Sequence, residues 1–451
     1  MIETKFILRI FPKFIRRKIE GNQELIKIIQ NINWLAFENL FQKLIGIFIF
    51  AWIARYLGPE QFGLMNYVLS FVALFSALSI LGLDNIVIRN IVSNPEKKKE
   101  YLGSTLLLKF LGSLTLLILS IIGVSLIEPN NNLLILFVGI ISLGYIFGSF
   151  NTLDIWFKSQ IQSKYSVYSR SIAFLIISSL KIIFILTQQP LIAFILMFAL
   201  NSLISSLLLI YFYHKKTKLS FLKWKVKLKV MKNLLKDSWP LILSGIAVMI
   251  YMRIDQVMIG NMIGNVQLGI YSAAVKVSES WLFLPMIIAS SVLPAIIKAK
   301  KKNRKLYLEK LQTLYDLFTW FTISVAVIIT FLSPFIIKIL YGANYADSAI
   351  ILSIIIWTGI FSFLGVASSQ YLVAENITKV SFYRTGFGAI INVLLNIILI
   401  PIYGIIGAAI ATFISYGVAT FFILVPKNSR LAGIQMLKSF NLIRIIRGKV
   451  K

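Results

Sequence analysis

Apart from the cations of the basic connections, with which Arg170 and Arg384 are counted as topological flanks, eight Lys and Arg residues fall inside or beside long apolar stretches: Lys43, Arg55, Arg89, Lys109, Lys181, Arg253, Lys276 and Lys338. A cation at the centre of a hydrocarbon layer costs about 2.5–3.5 kcal/mol on insertion scales, so each must face protein, water or a ligand. Their chemistry is electrostatic. A guanidinium grips an oxyanion with a planar fork, and an ammonium supplies a movable point charge. Acids accompany them: Glu38, Asp84, Asp154, Asp255, Glu279 and Asp316. Lys276 and Glu279 stand i,i+3 and can pair on one helix face, whereas Arg253 and Asp255 point in different directions and need other partners. Asn39 and Lys43, spaced i,i+4, form one polar stripe. Other chemistries find little support. Without cysteine there is no disulfide, thiol nucleophile or Cys-based metal site. The single histidine, His214, sits at a helix end beside Lys215 and Lys216 and reads as interfacial. No Walker-type phosphate loop is present, and no cofactor or metal is predicted.

The elements that position these residues are membrane spans. With 58% apolar and 14% charged residues among 451, the chain reads as an all-α polytopic membrane protein. Roughly 20 apolar residues cross a bilayer. Twelve spans are predicted at 34–56, 62–83, 102–126, 133–152, 169–186, 191–213, 239–260, 269–296, 314–340, 349–374, 381–400 and 404–425. Little length is left for a soluble domain. The net charge of +29 does not indicate nucleic acid, because the basic residues flank hydrophobic segments and set topology. The six connections near Pro59, Pro129, Pro190, Asn265, Tyr345 and Pro401 carry no Lys or Arg, while the alternating ones are basic. Both termini are therefore expected in the cytoplasm.

The organisation expected is a basic amphipathic arm (1–32), a six-helix lobe (33–213), a linker with nine lysines (214–238), a second six-helix lobe (239–426) and a basic tail (427–451). Six spans per half give the halves the same orientation, as parallel repeats. Gly58, Gln61 and Gly63 recur as Gly264, Gln267 and Gly269, a shift of 206 residues, each set turning the chain from the first span of its half into the second. Pro285 and Pro294 should kink the eighth span. Trp52, Trp239 and Tyr341 read as interfacial anchors.

Several loop sequences resemble those of polysaccharide (O-antigen-type) repeat-unit flippases of the multidrug/oligosaccharidyl-lipid/polysaccharide exporter superfamily. They are LGPEQFG at 57–63 after AWIARY, RIDQVMIG at 253–260 with LGIYSAA at 268–274, YGANYADSAIIL at 341–352 and IPIYGIIGAAIAT at 400–412. The resemblance implies two six-helix lobes forming a V around a central cavity, lined prominently by the first, second, seventh and eighth helices. It also implies alternating access without ATP in a bacterial or archaeal plasma membrane. The implied substrate is an oligosaccharide on a polyprenyl pyrophosphate, moved to the outer leaflet for surface polysaccharide biosynthesis. A polysaccharide polymerase and export machinery are implied partners, beside membrane lipids.

On that resemblance Lys43, Arg253 and Lys276, on the first, seventh and eighth spans, are the candidates for binding the pyrophosphate, whose hydration must be replaced by fixed cationic donors. Asn39 adds a polar group to the cavity. Arg55, Arg89, Lys109 and Lys181 are secondary cations. Asp255 and Glu279 are candidates for coupling to H+ or Na+. An ion-coupled multidrug antiporter of the same superfamily is the alternative, although it would favour an acidic or aromatic cavity. A membrane polysaccharide polymerase is more remote, since it needs a sizeable catalytic outer loop and every outer connection here is short.

Overall fold

The computed structural model describes residues 23–377, 379–441 and 444, and every regular element among them is helical. The amphipathic arm predicted at 1–32 lies largely outside the described residues. In the first half of the chain the helices are α1 Gln23–Leu74, α2 Ser76–Ile80, α3 Asp84–Ser93, α4 Lys98–Ile127, α5 Asn132–Gly148, α6 Thr152–Ser159, α7 Lys164–Leu186 and α8 Leu191–Thr217. The second half contributes α9 Leu228–Ile263, α10 Asn265–Glu279, α11 Leu284–Lys302, α12 Arg304–Tyr341, α13 Ser348–Ile355, α14 Thr358–Ala374, α15 Lys379–Phe421 and α16 Arg430–Lys438.

Among the described residues, 11 helical stretches are long and apolar enough to cross a membrane. Two of them hold more than one crossing. Helix α1 carries the first predicted span and much of the second, broken at Gly58 (φ 70°, ψ 170°). Helix α15 joins the last two at Gly404. Divided at these glycines, with α2 and α3 completing the second crossing, the helices account for the twelve predicted spans. Their flanks remain apolar and open, as at Phe331, which is 81% exposed. In a bilayer such surface meets lipid, so helices associate through packing and interhelical hydrogen bonds rather than hydrophobic exclusion.

The chain divides into two compact units, one comprising the chain up to Gly46 with Ser76–Ile242, the other Ile47–Phe75 with Leu243 onward. In the first unit, Leu83, Val87, Leu102, Trp156 and Phe157 form a buried core. Hydroxyls cross between its helices, Ser169 to the Ser205 carbonyl at 2.6 Å and Ser206 to that of Phe147 at 2.7 Å. In the second unit the core gathers Tyr315, Phe318, Phe363 and Leu364. There Ser348 donates to the Ile270 carbonyl at 2.6 Å. Helix α16 packs on this core through Ala432 and Met436, so the start of the tail is a structural element.

Residues 47–75 cluster with the second unit although sequence places them in the first lobe, and the repeated glycines supply the reason. Gly264 (φ 95°, ψ 171°) turns α9 into α10 with nearly the backbone of Gly58. A side chain would be strained at both. Five residues on, a Cβ at Gly63 would overlap the Asn265 carbonyl, and one at Gly269 the Pro59 carbonyl. The 206-residue shift converts each contact into the other. It also relates Ser70–Gln256, whose side chains bond at 2.8 Å, to Lys276–Phe50, where the ammonium lies 4.5 Å from the ring centre.

Two other expectations resolve differently. The eighth crossing breaks at 280–283, and Pro285 opens α11 rather than kinking a continuous helix. Proline suits a first helical turn because it gives up an N–H that would have no intrahelical partner. Tyr341 is buried rather than an interfacial anchor, because the turn at Gly342 folds Tyr345 back to 5.5 Å from its ring. Trp52 and Trp239 are exposed.

Replacing Gly63 or Gly269 by alanine should destabilise the second unit by about 1–3 kcal/mol through overpacking. Gly46→Ala, where the added Cβ meets nothing within 4 Å, should be neutral or mildly stabilising. Thermal unfolding in detergent measures this; equal midpoints for all three variants would mean the helices do not cross at these glycines.

Candidate functional site

Helices α9 and α10 bring Arg253 and Lys276 into one unit. Arg253 donates to Glu279 at 3.1 Å, both side chains retaining about a quarter of their exposure. Glu279, which spacing offered to Lys276, is thus held from the neighbouring helix. The packing of α9 against α10 brings the Arg253 guanidinium to it. Lys276 lies instead over Phe50. Lys43 belongs to the other unit and is exposed, one turn from Asn39, also exposed.

Asp255 is buried, 5% exposed. Tyr271 of α10 donates to its carboxylate at 2.5 Å, the Gln256 backbone N–H donates at 2.8 Å, and the Thr412 hydroxyl lies 3.4 Å away. Among the described residues no Lys or Arg forms an ion pair with it. Burying a carboxylate without a cation is costly unless hydrogen bonds, a proton or a bound cation compensate. Such a group responds to an ion in a way that a neutralised one does not. On α15, Asn396 donates to Asn392 at 3.1 Å, both fully buried, leaving Asn392 Nδ2 and Asn396 Oδ1 without hydrogen-bond partners. The i,i+4 asparagines inside an apolar span were the sequence signal for this polar face.

The secondary cations have other occupations. Lys109 is 4% exposed and pairs with Asp84 at 2.5 Å. Arg89 meets Asp237 at 3.3 Å, joining α3 to the start of α9. Arg55 donates to the carbonyls of Lys338, at 3.1 Å, and Ile339 in the last turn of α12, the Lys338 carbonyl also accepting from the Gly342 N–H. Lys181 lies 4.8 Å from the Phe198 ring. Lys338 itself is exposed.

Two arginines read from sequence as topological flanks are embedded in the units. Arg170 binds Glu38 through two bonds of 2.5 and 2.8 Å and reaches Asp154 at 3.4 Å, while Lys158 pairs with Asp154 at 2.7 Å. Arg384 donates to the hydroxyls of Ser368 and Ser369 at 2.7 and 2.9 Å and to the Gly365 carbonyl at 3.1 Å. Counting charge per connection assigned both to the flanks. Only helix packing shows that their side chains turn inward.

The chain matches the family described as "Polysaccharide biosynthesis protein" over residues 28–298, and the MatE family over 240–398. A protein of Haloferax volcanii described as a probable low-salt glycan biosynthesis flippase is 25% identical over 405 residues, covering 86% of this chain and 80% of that protein. The capsular polysaccharide biosynthesis protein CapF of Staphylococcus aureus is 24% identical over 414 residues, 87% of this chain and 97% of its own. A putative O-antigen transporter of Shigella flexneri is 24% identical over 409 residues, covering 86% and 94%. Among solved structures, lipid II flippase MurJ in an inward closed conformation aligns with a TM-score of 0.71 at 20% identity, covering 92% of each chain. An inward-facing MATE transporter of the MOP superfamily gives 0.69 at 15%, covering 93% and 99%.

The fold is therefore that of the class of multi-pass membrane proteins represented by the MurJ and MATE structures. Within that class, the chain belongs to the polysaccharide biosynthesis protein family, whose match covers more than half its length.

Removing one partner of the Arg253–Glu279 pair strands the other. Arg253→Gln and Glu279→Gln are each expected to cost about 1–3 kcal/mol, below the figure for a fully buried pair because both groups retain some solvent. The double variant should lose less than the sum. A thermal-unfolding cycle in detergent measures the coupling, and strict additivity would show that the pair contributes nothing.

Proposed function

We propose that this protein is a flippase carrying a polyprenyl-pyrophosphate-linked oligosaccharide repeat unit from the cytoplasmic to the outer leaflet for surface polysaccharide biosynthesis. The observation that carries the reading is the end-to-end similarity to proteins named as a glycan flippase and an O-antigen transporter, 80% and 94% of whose lengths are spanned. The intramembrane charges support it. A diphosphate cannot enter a low-dielectric layer without donors to replace its water, and Lys43, Arg253 and Lys276 are the groups assigned to that task. Arg253 would exchange its bond to Glu279 for the phosphate, and Lys276 would leave the Phe50 ring. Asn39 adds an amide one turn from Lys43.

The lobes at 33–213 and 239–426 would rock in alternating access, both termini facing the cytoplasm of a prokaryotic cell. Asp255 and Glu279 are the groups through which H+ or Na+ would bias that motion. Asp255 is the stronger, because its carboxylate is buried without a paired cation. A small-molecule antiporter is the second reading, favoured by the MatE match over 240–398.

The triple variant Lys43→Gln, Arg253→Gln, Lys276→Gln should insert normally and lose export of the cell's surface polysaccharide by about a hundredfold, given a few kcal/mol of lost phosphate binding. Full export by the inserted triple variant would reject the cationic assignment. In liposomes, transbilayer movement of the lipid-linked glycan distinguishes the flippase from the antiporter, which would instead extrude small cations. Asp255→Asn should abolish the dependence of that movement on an imposed ion gradient, and an unaltered dependence would remove Asp255 from the coupling role.

A further inference from the structure

The first unit contains a cavity of about 330 Å³ at the Lys-rich ends of its helices, separate from every residue assigned above. Its walls come from the start of α4, the turn after α6, the end of α8 and the first part of the linker. Lys98, Lys99 and Lys216 line it together with Trp156, Tyr213 and Trp224. The orientation rule alone accounts for lysines at these helix ends. It does not account for three of them, all exposed, lining one partly open cavity.

Close backbone contacts shape the cavity. Gly103 lets the linker cross α4 in contact, since a Cβ there would overlap the Lys225 carbonyl. The crossing is pinned by the Lys225 N–H donating to the Lys99 carbonyl at 3.2 Å and by the Lys227 N–H donating to the Ser104 hydroxyl at 3.1 Å. Trp224 is thereby set against Tyr213, its indole N–H donating to the phenol at 3.0 Å, and Tyr213 packs edge-on to Trp156 with ring centres 5.1 Å apart. Glu100, the nearest acid in sequence, is engaged by Lys227 at 2.6 Å. Among the described residues no ion pair engages Lys98, Lys99 or Lys216. Gln162, half-buried, also lines the cavity, and its Oε1 is shielded from solvent and unpartnered.

We propose that this cavity binds a phosphate-bearing anion, held by Lys98, Lys99 and Lys216, with the Trp156–Tyr213–Trp224 wall receiving the less polar body attached to the phosphate. Its chemistry fits the headgroup and glycerol of an anionic phospholipid. Lysines supply point charges to phosphate oxygens, and indole and phenol rings favour the boundary between headgroup and acyl chain. Basic pockets between spans hold anionic headgroups for the same reasons. A soluble phosphate ester carries the same recognised group.

The test uses the purified full-length chain, delipidated in mild detergent, with native mass spectrometry counting retained phosphatidylglycerol against phosphatidylcholine. Lys98→Gln, Lys99→Gln, Lys216→Gln should bind phosphatidylglycerol more weakly by about tenfold or more, each lysine contributing on the order of 1 kcal/mol. The charge-matched control Lys229→Gln, Lys232→Gln, Lys236→Gln, at exposed linker positions, should bind as the parent does, and the corresponding triple Arg variant should retain binding. Equal losses in the two Gln variants, or equal retention of phosphatidylcholine by the parent, would overturn the site. Inorganic phosphate and glycerol phosphate identify the source. Displacement of the lipid at micromolar concentration assigns a soluble ester, and its absence assigns the lipid, the phosphate contact standing in both cases.

Discussion

The cost of placing charge in hydrocarbon governs this molecule. In water a stray lysine is harmless, and its position says little. Inside a span the same group must find an acid, a ring, a carbonyl or a ligand. The structure shows the first three: Lys109 on Asp84, Lys276 over Phe50, and Arg55 on carbonyls in the last turn of α12. Because the penalty is several times thermal energy, few charges persist in the spans without a reason, and each becomes a question about packing or function.

The same medium sets how the helices hold together. Lipid is as apolar as leucine, so association depends on close approach and interhelical hydrogen bonds. The paired crossing of Gly63 and Gly269 is the sharpest instance, each glycine admitting a backbone carbonyl from the other half of the repeat. That contact ties Ile47–Phe75 to the second unit. It also lies beside the helices that carry Arg253, Asp255, Lys276 and Glu279.

Within the second unit, two acids on adjacent helices have different surroundings. Glu279 has an arginine and some solvent, while Asp255 has hydroxyl and amide donors and almost no solvent. An ion pair is stable against small changes in ion activity because its charge is already balanced. A carboxylate balanced only by neutral dipoles is the more sensitive group. The asymmetry leaves Glu279 held by an ion pair and Asp255 held by hydroxyl and amide donors.

The sequence determined the class, the spans and the repeat. Hydropathy over twenty residues is a local property, and charge bias between connections follows from short-range partitioning at the interface. The 206-residue recurrence of Gly58 and Gly63 was also legible, because only glycine meets a positive φ or a backbone contact without cost. Sequence likewise singled out Arg253, Lys276, Asp255 and Glu279. Their partners were decided by tertiary structure. Helix spacing offered Glu279 to Lys276, and packing gave it to Arg253; connection counting left Arg170 and Arg384 on the flanks, and packing turned them inward. Tyr271 and Thr412 lie in the singled-out stretches 268–274 and 400–412, but nothing there tied them to Asp255, and the aromatic wall at Trp224 had no signal, because such contacts come from neighbours remote in the chain. Local composition fixes whether a residue can sit in a membrane. Which group relieves its charge depends on rotation and approach between helices, which no single segment encodes.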